Sequence, residues 1–268
     1  MSGRVRDYLF YDTATSVCSS CLRRTDGKVI IRDGSVFMDK LCYSCGDREE
    51  VLIADDAEYY RRCREIYVKP SEMPEKWNTP LKYGCPYDCG LCPSHEQHSC
   101  LTLIEITDHC NLRCPICYAS SGPERHQDYR TLDHVVQMLD AVVENELEPD
   151  VIQISGGEPT LHPNFFEILD EAKSRPIRHL MVNTNGIRIA NDPEFVHRLA
   201  EYVPGFEIYL QFDSLESGPL ERLRGVDLRE LKLKALRNLN ESNIPTTLVA
   251  TVSRGLNEGE LGSLVEFA

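Results

Sequence analysis

Three cysteines, Cys110, Cys114 and Cys117, stand in the run Asp108-His109-Cys110-Asn111-Leu112-Arg113-Cys114-Pro115-Ile116-Cys117-Tyr118-Ala119, and no cysteine follows Cys117. Three thiolates at this C-x3-C-x2-C spacing can hold three corners of a cubane iron–sulfur cluster and leave the fourth iron open to a ligand that is not protein. A four-cysteine site mainly carries electrons or holds structure, whereas an open iron beside a reduced cluster is a place for chemistry. The triad therefore predicts an enzyme.

The other cysteines lie ahead of it. Cys85-x3-Cys89-x2-Cys92-x7-Cys100 repeats the opening spacing and competes for the same role. It follows the Pro/Gly-rich run 80–86 rather than a buried strand, and its fourth cysteine completes coordination. It reads as an auxiliary [4Fe–4S] cluster, with zinc on the same four ligands as the alternative. Cys18-x2-Cys21-x20-Cys42-x2-Cys45 has the two-knuckle spacing of a zinc ribbon or rubredoxin-like centre. Four thiolates suit zinc or a single iron equally. Gly27 and Gly46 are expected at the tight turns of the knuckles. Cys63, alone in a charged run, reads as a bystander.

Composition narrows the class. A net charge of -14 over 268 residues argues against a nucleic-acid partner, which needs a basic face. No segment approaches the ~18 consecutive apolar residues of a membrane span, which leaves peripheral membrane contact open. Close C-x2-C pairs followed by a cysteine-free α/β region favour metal over disulfides, and the expected location is the cytoplasm.

To work, the triad needs a scaffold. Residues 1–100 read as irregular and cysteine-rich, with a ribbon-like region over 1–60 and an auxiliary-cluster segment over 61–100. From 101 to 268, strands alternate with helices. Strands are expected at Leu101–Thr107, Val151–Ile154, His179–Val182, Phe206–Phe212 and Thr246–Val252. Helices are expected at Leu132–Asn145, Phe165–Lys173, Pro193–Glu201, Leu228–Asn240 and Glu258–Ala268. That alternation implies βαβ units and a parallel α/β sheet of five visible strands, whose active site lies at the strands' carboxyl ends. The motifs agree. The cysteine loop follows the first strand, Ser155-Gly156-Gly157-Glu158-Pro159-Thr160 the second, and Asn183-Thr184-Asn185-Gly186 the third, while Gln211-Phe212-Asp213-Ser214 ends the fourth.

Together, the triad after strand one and Gly156-Gly157-Glu158-Pro159 after strand two resemble the radical S-adenosylmethionine (SAM) superfamily over residues 101–268. The resemblance implies a partial (β/α)6 barrel with a [4Fe–4S] cluster on Cys110, Cys114 and Cys117 and SAM chelating the open iron. It implies that Gly156 and Gly157 let backbone approach the methionine amino group, that Glu158 accepts from it, and that Ile116 packs near the adenine. Thr184, Asn185, Gln211, Asp213 and Ser214 would contact ribose or carboxylate, with Asn257 a further candidate. One electron would cleave the sulfonium to a 5′-deoxyadenosyl radical, supplied by a low-potential donor such as ferredoxin or flavodoxin.

A four-cysteine ribbon, then Gly84-Cys85-Pro86-Tyr87-Asp88-Cys89-Gly90-Leu91-Cys92-Pro93, then the barrel, resembles the archaeal-type tetraether lipid synthases, a group shared with the 7,8-dihydro-6-hydroxymethylpterin methyltransferases. This implies either coupling of lipid tail carbons or methyl transfer to a pterin, and the reading leans to the lipid. Relatives of this kind continue past the barrel with further cysteines and a sixth strand, so the chain is expected to be C-terminally truncated. The competing non-enzymatic reading is an iron–sulfur electron carrier or an interaction module, which would not need an open iron.

Overall fold

The computed structural model describes residues 6–66, 73–84, 87, 88, 90–93, 95, 98–125 and 128–268. The chain divides into two units, Met1–His98 and Ser99–Ala268.

The first unit corrects the expectation of an irregular front end. It carries four antiparallel strands in sequential order, β1 (Leu9–Val17), β2 (Arg24–Arg32), β3 (Ser35–Leu41) and β4 (Arg48–Ala54). Asp33 (φ 50°) and Gly34 (φ 79°) join β2 to β3. Two successive positive φ values make a type I′ turn, whose twist matches that of the flanking strands. Helix α1 (Ala57–Ile66) begins at Asp56, whose Oδ1 accepts from the Glu58 and Tyr59 amides at 2.9 Å each. Ala57 packs with Val29 and Val36 to form a small core. Several strand residues on these elements stay exposed or half-buried, including Phe10, Val51 and Leu52. A core this small leaves little hydrophobic periodicity in the sequence.

The second unit holds five parallel strands, β5 (Thr102–Glu105), β6 (Val151–Ser155), β7 (His179–Thr184), β8 (Phe206–Gln211) and β9 (Thr246–Val249), hydrogen-bonded in chain order. Between them run α2 (Leu132–Glu146), α3 (Phe165–Lys173), α4 (Ile187–Asn191), α5 (Pro193–Ala200), α6 (Ser217–Arg224) and α7 (Arg229–Glu241), with α8 (Leu261–Phe267) last. Their caps are local. Thr131 Oγ1 accepts from the His134 amide at 3.3 Å, and Asp192 Oδ1 from Phe195 at 3.0 Å ahead of Pro193.

Ile104, Ile152, Ile154, Leu180, Val182, Phe206, Ile208 and Leu210 turn one face of the sheet onto Val135, Leu139, Phe165, Leu169, Phe195, Leu199, Ala235 and Leu239. Because side chains alternate along a strand, Glu105, Gln153, Ser155, Asn183, Tyr209 and Gln211 turn the other way, onto the inner face. Helices α4 and α6 are additions to the expected set. Five residues are too few for a period, and Gly218-Pro219 reads as a break.

Candidate active site

The motif-bearing segments lie where the parallel-sheet rule places them. The cysteine loop leaves β5, Gly156–Thr160 leaves β6, Asn185-Gly186 leaves β7 and Asp213-Ser214 leaves β8. They surround a cavity of about 220 Å³ lined by all three triad cysteines. Among the sequence candidates, Ile116 (43% exposed), Gly156, Gly157, Thr184, Asn185 and Gln211 line it too.

The two glycines are held against the cysteine loop. Gly157 N–H donates to Thr107 O at 2.7 Å and Glu158 N–H to His109 O at 2.8 Å, continuing the pairing of β5 with β6 beyond the strands. A Cβ on Gly156 would lie 2.3 Å from Thr107 O, and one on Gly157 2.3 Å from His109 O. Their smallness thus seats the loop that carries the thiols. In that loop the Leu112 amide donates to Cys110 Sγ at 3.4 Å, and burial pushes the Cys110 thiol up to about 11.

Other sequence candidates turn away from the cavity and brace its walls. Glu158 is 1% exposed. Its Oε1 accepts from Thr160 N (3.2 Å), Thr160 Oγ1 (2.6 Å) and Thr184 Oγ1 (2.8 Å), and its Oε2 accepts from Asn185 N (2.8 Å). The carboxylate ties the loop after β6 to the loop after β7. Asn185 passes the connection on, donating from Nδ2 to Asn111 Oδ1 at 2.7 Å. Ser214 Oγ donates to Glu260 Oε2 at 2.6 Å, and Asn257 Nδ2 donates to the carbonyls of Asp213 (2.9 Å) and Thr251 (3.0 Å).

Asp213, with no exposed surface, pairs with a residue that sequence reasoning missed. Arg224 Nε donates to Asp213 Oδ2 at 2.7 Å and Nη2 to Oδ1 at 2.6 Å, a bidentate pair. Nη2 also reaches Thr251 Oγ1 at 3.0 Å. With its amide oxygen facing the guanidinium, Gln211 accepts from Arg224 Nη1 at 2.7 Å. Burial would pull the guanidinium down, but Asp213 outweighs it and holds the group above its ordinary value. Arg224 and Thr251 both line the cavity, as do Asn183 and Ser121. The sequence signal for Arg224 was the basic last turn before Gly225, which ends α6 at φ 80°. Lys232, equally buried, donates from Nζ to Asn185 O at 2.5 Å, and burial pulls its ammonium down to about 8.

A separate candidate metal site lies in the first unit. The ligand atoms of Cys18, Cys21, Cys42 and Cys45 all lie within 4.8 Å of one another. Sγ–Sγ distances are 3.6 Å for Cys18–Cys45 and 3.5 Å for Cys21–Cys42. Four sulfurs at about 2.3 Å from a tetrahedral zinc stand about 3.8 Å apart, so the quartet fits the ion. The knuckles share one backbone design. The Leu22 amide returns to Cys18 O (2.9 Å) and the Gly46 amide to Cys42 O (2.7 Å), with φ 59° and 78°. Leu22, not Gly27, takes the first turn. Gly27 belongs to β2, where a Cβ would meet Met38 Cγ at 2.8 Å.

Among the described residues, the triad thiols are not gathered for a single ion; separate corners of a cubane stand wider apart. Of the third cysteine group, Cys92 is buried and Cys100 exposed, while Cys85 and Cys89 lie outside the described residues. No helix among the described residues is long and apolar enough to cross a membrane.

A sequence profile of the Radical SAM superfamily matches residues 104–268. The chain belongs to this superfamily. The radical SAM region is preceded by a match, over residues 10–54, to a profile described as the HMPTM N-terminal zinc ribbon domain. The chain is similar to a 7,8-dihydro-6-hydroxymethylpterin dimethyltransferase of Methanocaldococcus jannaschii, 31% identical over 94% of this chain and 49% of that one. It is also similar to the mycofactocin maturase MftC of Mycobacterium tuberculosis, 30% identical over 63% of this chain and 41% of that one. The chain thus spans about half or less of the length of these curated relatives. Among solved structures, Streptococcus suis SuiB bound to S-adenosylmethionine shares the radical SAM fold, with a TM-score of 0.52 and 21% identity over 63% of this chain and 37% of that one.

Proposed function

We propose that this radical SAM chain transfers a methyl group to a pterin. The observation that carries the reading is one relative whose similarity covers 94% of this chain, ribbon and barrel together, and whose name specifies a pterin. The HMPTM ribbon over residues 10–54 points the same way. The lean toward lipid tail coupling gives way to this: the sequence features behind it were common to both groups.

In this reading Cys110, Cys114 and Cys117 hold three irons of a [4Fe–4S] cluster that, when bound, supplies the electron for breaking a SAM carbon–sulfur bond. Gly156 and Gly157 present backbone to the methionine end, Ile116 its apolar side to the adenine, and Thr184, Asn185 and Gln211 polar atoms to the rest. Glu158, Asp213, Ser214 and Asn257 act by fixing the loops that carry those groups. Cys85, Cys89, Cys92 and Cys100 hold an auxiliary [4Fe–4S] cluster, a reading supported by their spacing. The donor is a low-potential ferredoxin or flavodoxin, and the compartment is the reducing cytoplasm.

Two measurements test this. Anaerobic incubation of the reconstituted chain with SAM, reductant and 7,8-dihydro-6-hydroxymethylpterin is expected to give methylated pterin by mass spectrometry; SAM cleavage without a methylated product would count against the pterin. Cys114→Ala is expected to bring SAM cleavage to background, and a variant that still cleaves SAM would move the cluster elsewhere. For the ribbon, metal analysis is expected to find zinc bound by the 18/21/42/45 quartet and lost from Cys21→Ser. Iron released by that variant instead would reverse the assignment.

A further inference from the structure

A polar row crosses the inner face of the five-stranded sheet. The strand register sets Glu105 beside Ser155, Asn183 beside Tyr209, and Tyr209 beside Thr247. Asn183 Nδ2 donates to Ser155 Oγ at 3.3 Å, which closes the row across all five strands. Asn183, in the middle of the row, also lines the cavity shared by the triad cysteines, so the row borders that cavity at its centre. Two residues before Ser155 on the same face, Gln153 is 4% exposed and its Nε2 has no hydrogen-bond partner among the described residues. Buried polar groups are nearly always paired, and the register neighbours of Gln153 on this face, Leu103 and Met181, are apolar side chains that leave its amide unsatisfied. An unpaired amide beside a row of carboxylate, hydroxyl, amide and phenol is the chemistry of a surface that receives a polar ligand.

We propose that this row, with Gln153 beside it, is the floor on which substrate is recognised, and that it takes a flat heterocycle bearing an aminopyrimidinone edge. The inference rests on the pterin reading and gives it residues. A ring N–H and its adjacent exocyclic amino group form two parallel donors, which the two oxygens of the Glu105 carboxylate match as they would a guanidinium. Gln153 Nε2 lies buried beneath the row with no partner among the described residues and would reach the ring carbonyl by turning its amide up to the floor, and the Tyr209 ring supplies an aromatic face or edge. An alkyl chain laid on the same floor would satisfy none of these groups and would strip water from them, which is unfavourable.

The test is equilibrium binding to the cluster-reconstituted full chain, by calorimetry, for three probes: 7,8-dihydro-6-hydroxymethylpterin, guanosine (which carries the same aminopyrimidinone edge) and a detergent-dispersed diether lipid. Wild type is compared with Glu105→Gln and Gln153→Leu, with the SAM-induced change in the reduced-cluster EPR spectrum as control. The expected result is pterin binding weakened at least tenfold by Glu105→Gln and several-fold by Gln153→Leu, with the SAM response unchanged. Gln153→Leu is also expected to melt no lower than wild type, since it removes an unpaired group; a purely structural glutamine would lower the melt. Pterin binding indifferent to both variants overturns the floor and leaves the pterin reading standing. Guanosine bound without pterin, and weakened by Glu105→Gln, keeps the floor and removes the pterin. Lipid alone bound, or no probe bound by wild type, overturns the floor.

Discussion

Replacing Gly157 with alanine is expected to strip iron from the cysteine triad while zinc stays in the ribbon. The new Cβ would sit 2.3 Å from His109 O, 2.7 Å from His109 C and 2.9 Å from Asp108 O. All three are backbone atoms, so no rotamer change relieves the overlap. The strand end must retreat, and with it go the bonds from Gly157 N to Thr107 O and from Glu158 N to His109 O. Groups buried and left unpaired cost about 1–3 kcal/mol each, and the loop they hold is the one that places Cys110. Iron per chain is expected to fall to about half of wild type, the auxiliary cluster remaining, and the SAM-induced change in the spectrum to be lost, as expected when a cofactor's binding energy no longer offsets the strain of its loop. Gly122→Ala is the control. There the Cβ meets the Glu124 carboxylate at 2.5 Å, the end of an exposed side chain that swings away. A Gly157→Ala protein with full iron and a SAM-responsive spectrum would show that the glycine does not seat the loop.

Asp213→Ala is expected to be the most destabilising single change in the barrel. It leaves the Arg224 guanidinium, 6% exposed, as a buried cation without its carboxylate. Removing one partner of a buried pair costs about 3–5 kcal/mol, and in a unit of this size that lowers the melting point by roughly 10 °C. The double variant Asp213→Ala/Arg224→Met buries no charge and is expected to recover part of the loss. Urea melts of the three proteins measure it. An Asp213→Ala midpoint equal to wild type would mean that Gln211 and Thr251 alone hold the guanidinium.

The sequence disclosed the second unit far better than the first. Long helices with apolar residues at helical spacing, such as Leu132–Glu146 and Phe165–Lys173, and strands buried on one face announce themselves by period. The four-stranded sheet does not, because its core is little more than Val29, Val36 and Ala57. Its one strong local signal, Asp33-Gly34, sits between Arg32 and Ser35. At the site, residue type and strand-end position picked out the triad and the Gly-Gly pair. Type cannot separate a carboxylate that meets a ligand from one that braces a loop, because both need the same oxygens. What sets Glu158 and Asp213 apart from the cavity-lining residues is their partners distant in the chain, Asn185 in one case and Arg224 with Thr251 in the other.

The pairing of Gly157 and Glu158 with Thr107 and His109 also fixes an order of events. These partners are separated by the whole β5–α2–β6 crossover, and closing a loop of that length must precede the contacts that reward it. Before β6 docks, the carbonyls beside Cys110 have no amides to hold them and the thiols have no fixed spacing. Cofactor assembly is therefore expected to follow the docking of β6, on a sheet already in register. A chain caught before that crossover closes would present three loose cysteines instead of a socket.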